Sequence, residues 1–226
     1  MIPAASYDYV YALLNDTSLE INGGFAEPIP QESDFVGFLL FDQNFSRPPS
    51  RDFLSNLSLL NENSGRHIHF FLPGVSKYAP NRDDFAKEIP GLDTPHYHNA
   101  RAFLSFKDAF EKEIEGWQYD GGVSLILIDV VSKNGIKELN FDSAIYFYVE
   151  ELIGLKIISA TSELLHKIIR LKRDGDVKSA AEIKAVFEKQ FGQSWIKALL
   201  FSLFPKQVKS IAKGMAVLGG GKALKF

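Results

Sequence analysis

The chain has 226 residues, 46% of them apolar and 23% charged, with a formal net charge of −3. That is the balance of a globular protein with a sizeable core, to which 19 phenylalanines contribute. The absence of cysteine excludes disulfides, thiolate metal ligands, cysteine nucleophiles and cysteine lipidation within these residues.

The opening stretch "MIPAASYDYVYALLNDTS" has no basic segment followed by an apolar run, so no secretory signal is expected. Residues 5–15 read as a short helix with Tyr7, Val10, Tyr11 and Leu14 on one side. A loop of Gly, Pro and acidic residues follows, "NGGFAEPIPQESD". The run "FVGFLLFD" (35–42) has the length and continuous apolarity of a strand buried on both faces. "QNFSRPP" breaks it, and Ser50 is expected to cap a helix whose stripe is Phe53, Leu54, Leu57 and Leu60, with Gly65 as its stop. "HIHFFL" (67–72) reads as a second strand, ended by Pro73 and Gly74. The stretch 73–98, with four prolines, reads as irregular. A helix over 99–116 buries Phe103, Phe106, Phe110 and Ile114, and "VSLILIDVV" (123–131) is a third buried strand. "KNG" (133–135) marks a hairpin turn into a fourth strand at 136–141, after which Asp142 is expected to cap a helix. From there the pattern is helical over about 142–154, 160–173, 177–191, 194–204 and 205–218.

The fold class expected is therefore α/β in three layers, followed by an all-helical C-terminal region. The divisions are 1–34 (helix and loop), 35–141 (α/β core) and 142–226 (helical region with a basic amphipathic tail). The order strand, helix, strand, helix, strand, hairpin strand, helix resembles the thioredoxin-like arrangement in topology. That resemblance would place a redox site on "DQNFSRPP", which has no cysteine, and a proline before the third strand, where Gly122 stands. It implies the fold without the thiol chemistry.

Charge is distributed unevenly. Every acidic residue lies at or before Glu188, and residues 189–226 hold seven lysines with no Asp, Glu or Arg. Residues 1–188 keep the other 18 basic groups against all 28 acidic ones, so a body of −10 carries a tail of +7. Lys206, Lys209 and Lys213 fall at steps of three and four, on one stripe of a helix over 205–218, opposite Val208, Ile211, Met215 and Leu218. Trp195 opens the apolar run before it. Such a segment suits an acidic protein surface or an anionic membrane surface. The plainer account is an ordinary surface helix with solvated lysines. Nucleic acid is disfavoured, because the net charge is negative and the tail lacks arginine.

Four histidines form two H-x-H pairs, His67 with His69 and His96 with His98. On a strand, residues two apart share a face, so a pair can reach one divalent metal, with Asp93 near the second pair. H-x-H is also a common pattern in sheet edges and surface loops. In open α/β sheets, ligands bind beyond the carboxyl ends of the strands. Asp42, Asn44, Arg47 and Lys77 lie there as candidates for an anion, though the same Asp and Asn residues also shape turns.

These features point to a non-enzymatic, cytoplasmic binding protein without a cofactor, whose basic tail meets an acidic partner. Two alternatives stand beside it: a metal-dependent hydrolase using the paired histidines, and a peripheral membrane effector acting through the tail.

Overall fold

A computed structural model describes residues 1–15, 20–21, 24–25, 34–65, 67–78 and 85–202, the last ten as backbone only. In chain order, the first elements are β1 (Ile2–Ala4), α1 (Tyr7–Leu14), β2 (Glu20–Ile21), β3 (Gly24–Phe25) and β4 (Phe35–Leu40). Then come α2 (Pro48–Ser55), α3 (Leu57–Ser64), β5 (Phe70–Pro73), β6 (Val75–Ser76), β7 (Ala86–Glu88), β8 (Tyr97–Asn99) and α4 (Ala100–Glu113). The last are β9 (Ser124–Lys133), β10 (Ile136–Tyr148), α5 (Val149–Gly154), α6 (Thr161–Arg173) and α7 (Ala180–Ser202).

The apolar run at 35–40 becomes the middle strand of a five-stranded mixed sheet, ordered β1-β5-β4-β9-β10. β4 runs parallel to β5 (Gly37 opposite Phe70) and antiparallel to β9 (Phe35 opposite Asp129, Leu40 opposite Ser124). Every residue of β4 is buried, because its side chains feed two cores in alternation. Phe35 and Leu39 join α2, α3, α6 and the start of α7 on one face. Val36, Phe38 and Leu40 join Val10, Leu13 and Leu14 of α1 and Phe103, Phe106 and Phe110 of α4 on the other. The protein is thus mixed α/β with helices on both faces of the sheet.

Local signals explain most boundaries. Ser6 Oγ accepts the Tyr9 N–H (3.1 Å) and starts α1. Asn99 Oδ1 accepts from Ala102 (3.0 Å) and starts α4. Gly65, at φ 42°, ends α3. One long-range cap joins the helices of one layer: Asp52 of α2 accepts from the Ser162 N–H (2.7 Å) at the start of α6.

Three expectations are corrected. Ser50 does not cap α2: the helix begins at Pro48, and Ser50 is its third residue, 1% exposed. A proline is preorganised for the first helical position, so "RPPS" starts a turn earlier than its serine suggests. Asp142 does not cap a helix, since β10 continues to Tyr148 through a bulge between Asn140 and Ile145. Beyond the bulge Ile145 and Phe147 face one core while Ala144, Tyr146 and Tyr148 face the other. That period of two was overlooked beside the capping signal. Finally, the stretch 73–98 is not wholly irregular, because β6, β8 and β7 form a small antiparallel sheet. Strands of two or three residues carry too few side chains to show a period.

At the far edge of the main sheet, Asn15 behaves like a strand residue. Its Nδ2 donates to the Lys137 carbonyl (2.9 Å), and its Oδ1 accepts from the Lys137 N–H (2.7 Å). Asn15→Ala removes both of these amide contacts with Lys137 and should cost about 1–3 kcal/mol in a urea unfolding curve. A loss under about 0.5 kcal/mol would mean that water replaces the amide without penalty.

Candidate functional site

The carboxyl end of β4 gathers the most chemistry. After Phe41 the chain turns through Asp42–Arg47. Asp42 Oδ1 accepts the Asn44 N–H (2.9 Å), and Ser46 Oγ donates to Asn44 Oδ1 (2.9 Å). Gln43 Nε2 donates to the carbonyls of Phe85 (2.7 Å) and His98 (2.8 Å), tying the turn to β8. The Arg47 guanidinium donates to the Gly121 carbonyl, across the sheet end.

That carbonyl belongs to "DGGV" (120–123), the entry to β9. Asp120 Oδ1 accepts from Gly122 (2.9 Å), and both Glu150 oxygens accept the Val123 N–H (3.0 and 2.9 Å). A Cβ on Gly122 would lie 2.6 Å from Glu150 Oε2, so the glycine makes room for the carboxylate. Burial raises the Glu150 pKa, against the hydrogen bonds that favour its charged form. Gly122→Ala should displace Glu150 from Val123 and cost about 1–3 kcal/mol. In a double-mutant cycle with Glu150→Ala most of that cost should vanish, whereas two additive losses would place the strain elsewhere.

Beneath the turn lies His98, fully buried. Its Nε2–H donates to the Phe41 carbonyl (2.9 Å), and its ring sits among those of Phe41, Phe45 and Phe103 at 5.1, 6.1 and 5.3 Å. Burial pushes its pKa down to about 4, although the Phe41 bond and the Asp42 charge pull upward. With Nε2 as donor, Nδ1 carries a lone pair, which has no partner among the described residues. Phe103 also meets Tyr119 (5.1 Å), whose pKa is raised first by burial and then by Asp42, Asp120 and Glu150.

The structure brings Asp42, Asn44 and Arg47 into one turn; Lys77 lies beyond β6 at the surface. The backbone at the start of α2 offers an anion little. Two of its first four residues, Pro48 and Pro49, have no N–H, and that of Arg51 is taken by the Arg47 carbonyl (2.8 Å). The neighbouring Asp42, Asp120 and Glu150 make the surroundings negative.

The two histidine pairs are not brought together. His69 precedes β5 at the level of Val36, whereas His98 sits at Phe41. Five strand residues, about 16 Å, separate those levels. His69 is buried and its pKa is lowered to about 4, first by burial. His67 is half-buried, and His96 Nδ1 donates to the Thr94 carbonyl (2.8 Å). Among the described residues, no group of three or more His, Asp and Glu is arranged to hold a metal ion. Asp129, midway along β9 and opposite Phe35 at the start of β4, accepts the Ala180 N–H (2.7 Å) and starts α7. The expected helix over 205–218 with Lys206, Lys209 and Lys213, and the side chain of Trp195, lie outside the described residues.

Asp120, Gly121, Gly122 and Glu150 were missed in the sequence. A Gly-Gly pair opening a buried strand was their one visible signal, and Glu150 reaches it only through the fold.

Fold and site together define a mixed α/β protein with a polar turn at the carboxyl end of its middle strand. Comparison with protein-family models, with curated proteins and with solved structures gives no match. Among the described residues no helix is long and apolar enough to cross a membrane.

Proposed function

We propose that the chain is a non-enzymatic binding protein whose C-terminal lysine segment contacts an acidic surface. One observation carries this: residues 189–226 hold seven lysines and no acidic residue, on a body of −10. A one-signed segment is attracted to opposite charge at long range and adds to association rate as well as affinity. The order β1-β5-β4-β9-β10, with β1, β5 and β4 parallel and β9 and β10 antiparallel to their neighbours, supports a thioredoxin-like description of the core.

The test is binding of the full chain to two probes: vesicles of anionic against neutral phospholipid, and immobilised polyglutamate against a neutral polymer. Each is run at low and physiological salt. Salt-sensitive binding to polyglutamate supports an acidic protein partner. Salt-sensitive binding to anionic vesicles alone makes the protein a peripheral membrane effector. Binding to neither removes the proposal.

A further inference from the structure

We infer that Asn134 is a site of spontaneous modification, where the chain converts an asparagine amide to aspartate and isoaspartate and thereby loosens the β9–β10 hairpin.

Lys133 pairs with Ile136, so Asn134 and Gly135 alone connect β9 to β10. Both have positive φ (54° and 80°), as a two-residue turn that follows the strand twist requires. In such a turn the ladder bonds belong to the flanking pair. The Gly135 N–H accordingly finds no acceptor among the described residues. Asn134 and Gly135 are exposed, as are Lys133 and Ile136 on either side. A Cβ added to Gly135 would meet nothing within 4 Å. An unengaged backbone nitrogen therefore stands next to a side-chain amide in open solvent, with no side chain of its own to block approach. Among the described asparagines, Asn134 alone precedes a glycine.

The chemistry needs only water. The Gly135 nitrogen attacks Cγ of Asn134. The N–Cγ bond forms, the Cγ–Nδ2 bond breaks, and ammonia leaves with the proton from the Gly135 N–H. Water then opens the cyclic imide at either carbonyl. Breaking the new N–Cγ bond gives aspartate. Breaking the original peptide bond gives isoaspartate, whose main chain runs through Cβ and Cγ and is one atom longer.

A two-residue turn has no slack for that atom. The misfit falls on the first rungs of the hairpin, Ile136 opposite Lys133 and Lys137 opposite Ser132. Either product also adds a carboxylate to a turn flanked by the Lys133–Glu138 ion pair (3.3 Å). Lys137 is the residue whose N–H donates to Asn15 Oδ1 (2.7 Å). Modification thus slackens the contact by which Asn15 covers the edge of β10.

Incubating the full chain at mildly alkaline pH tests this, with its peptides followed by mass and by fragmentation that separates aspartate from isoaspartate. The peptide bearing Asn134 should gain the mass difference between an amide and an acid. It should do so at least about tenfold faster than those bearing Asn44 or Asn63, one decade of rate for an unhindered nucleophile. Both of those asparagines are exposed but precede Phe45 and Ser64. In the aged chain the Lys137 N–H should exchange with solvent about fivefold faster than in the fresh one, the loss of one net hydrogen bond. Asn134→Gly keeps a residue at ease with positive φ and has no amide to lose. Its Lys137 exchange should be unchanged by the same incubation. Equal rates at Asn134 and Asn63 overturn the inference. So does unchanged Lys137 exchange in a chain that carries isoaspartate, or equal acceleration in Asn134→Gly.

Discussion

Lowering the pH from about 7 to 4 should strip the protein of several kcal/mol of stability, most of it between pH 6.5 and 4. His98 carries the clearest share. Its folded pKa is about 4 against an ordinary 6.5. Between those values the unfolded chain binds a proton that the folded one refuses, so stability rises with pH through this window and falls as acid is added. Below pH 4 both states are protonated and the slope vanishes. Two and a half pH units correspond to roughly 3 kcal/mol. His69, lowered to about 4 chiefly by burial, acts in the same direction. Glu150 opposes them, because its raised pKa lets the folded state take up a proton before the unfolded one does. The check is urea unfolding at half-unit pH steps, on the wild type and on His98→Gln. Glutamine can donate to the Phe41 carbonyl but does not titrate. The variant should show a shallower slope between pH 4 and 6.5, whatever its absolute stability. An unchanged slope would mean that His98 takes a proton inside the fold, through an opening of the Asp42–Arg47 turn.

Reversing Lys206, Lys209 and Lys213 to glutamate should weaken binding to an acidic surface at least about 100-fold. Each lysine near an anionic surface contributes about 1 kcal/mol, so three neutralised charges account for roughly 3 kcal/mol, and reversal adds repulsion. The loss should be steep at low salt and shrink as screening grows. Unfolding midpoints of the described body should match those of the wild type, which separates lost contact from lost structure. A triple variant that still binds within threefold of the wild type would shift the contact to Trp195 and the apolar residues around it.

The layered α/β core was legible because its strands are buried on both faces. A run such as "FVGFLLFD" has few homes other than the middle of a covered sheet. The helices of the first half were legible through their apolar period, as at 5–15 and 99–116, whereas their caps, Ser6 and Asn99, emerged only from the structure. Misreadings came where two local signals competed. At Asp142 a strong helix-capping residue occupied a bulge, and the alternation of "SAIYFY" behind it carried the strand on. At Ser50 the capping serine lost to two prolines that are good first residues of a helix. The site was half legible. Asp42, Asn44 and Arg47 adjoin in sequence and share a turn. Glu150 and Asp120 meet them only because β9 and β10 fold back along β4, and no spacing rule encodes that. The histidine pairs show the opposite failure, since a local motif suggested convergence while the strand register holds the pairs apart.

The amide of Asn15 has a consequence beyond stability. Among the described residues β10 is the last strand of its sheet, and a bare last strand offers its backbone to any other chain able to extend alongside it. A side chain that mimics a neighbouring strand at Lys137 occupies that template for one residue pair, and the bulge farther along bends the remainder out of register. An edge occupied in this way is a poorer template for a second copy of the chain. Losing Asn15 should raise the tendency to form fibrillar aggregates under crowded conditions more than its modest effect on unfolding suggests.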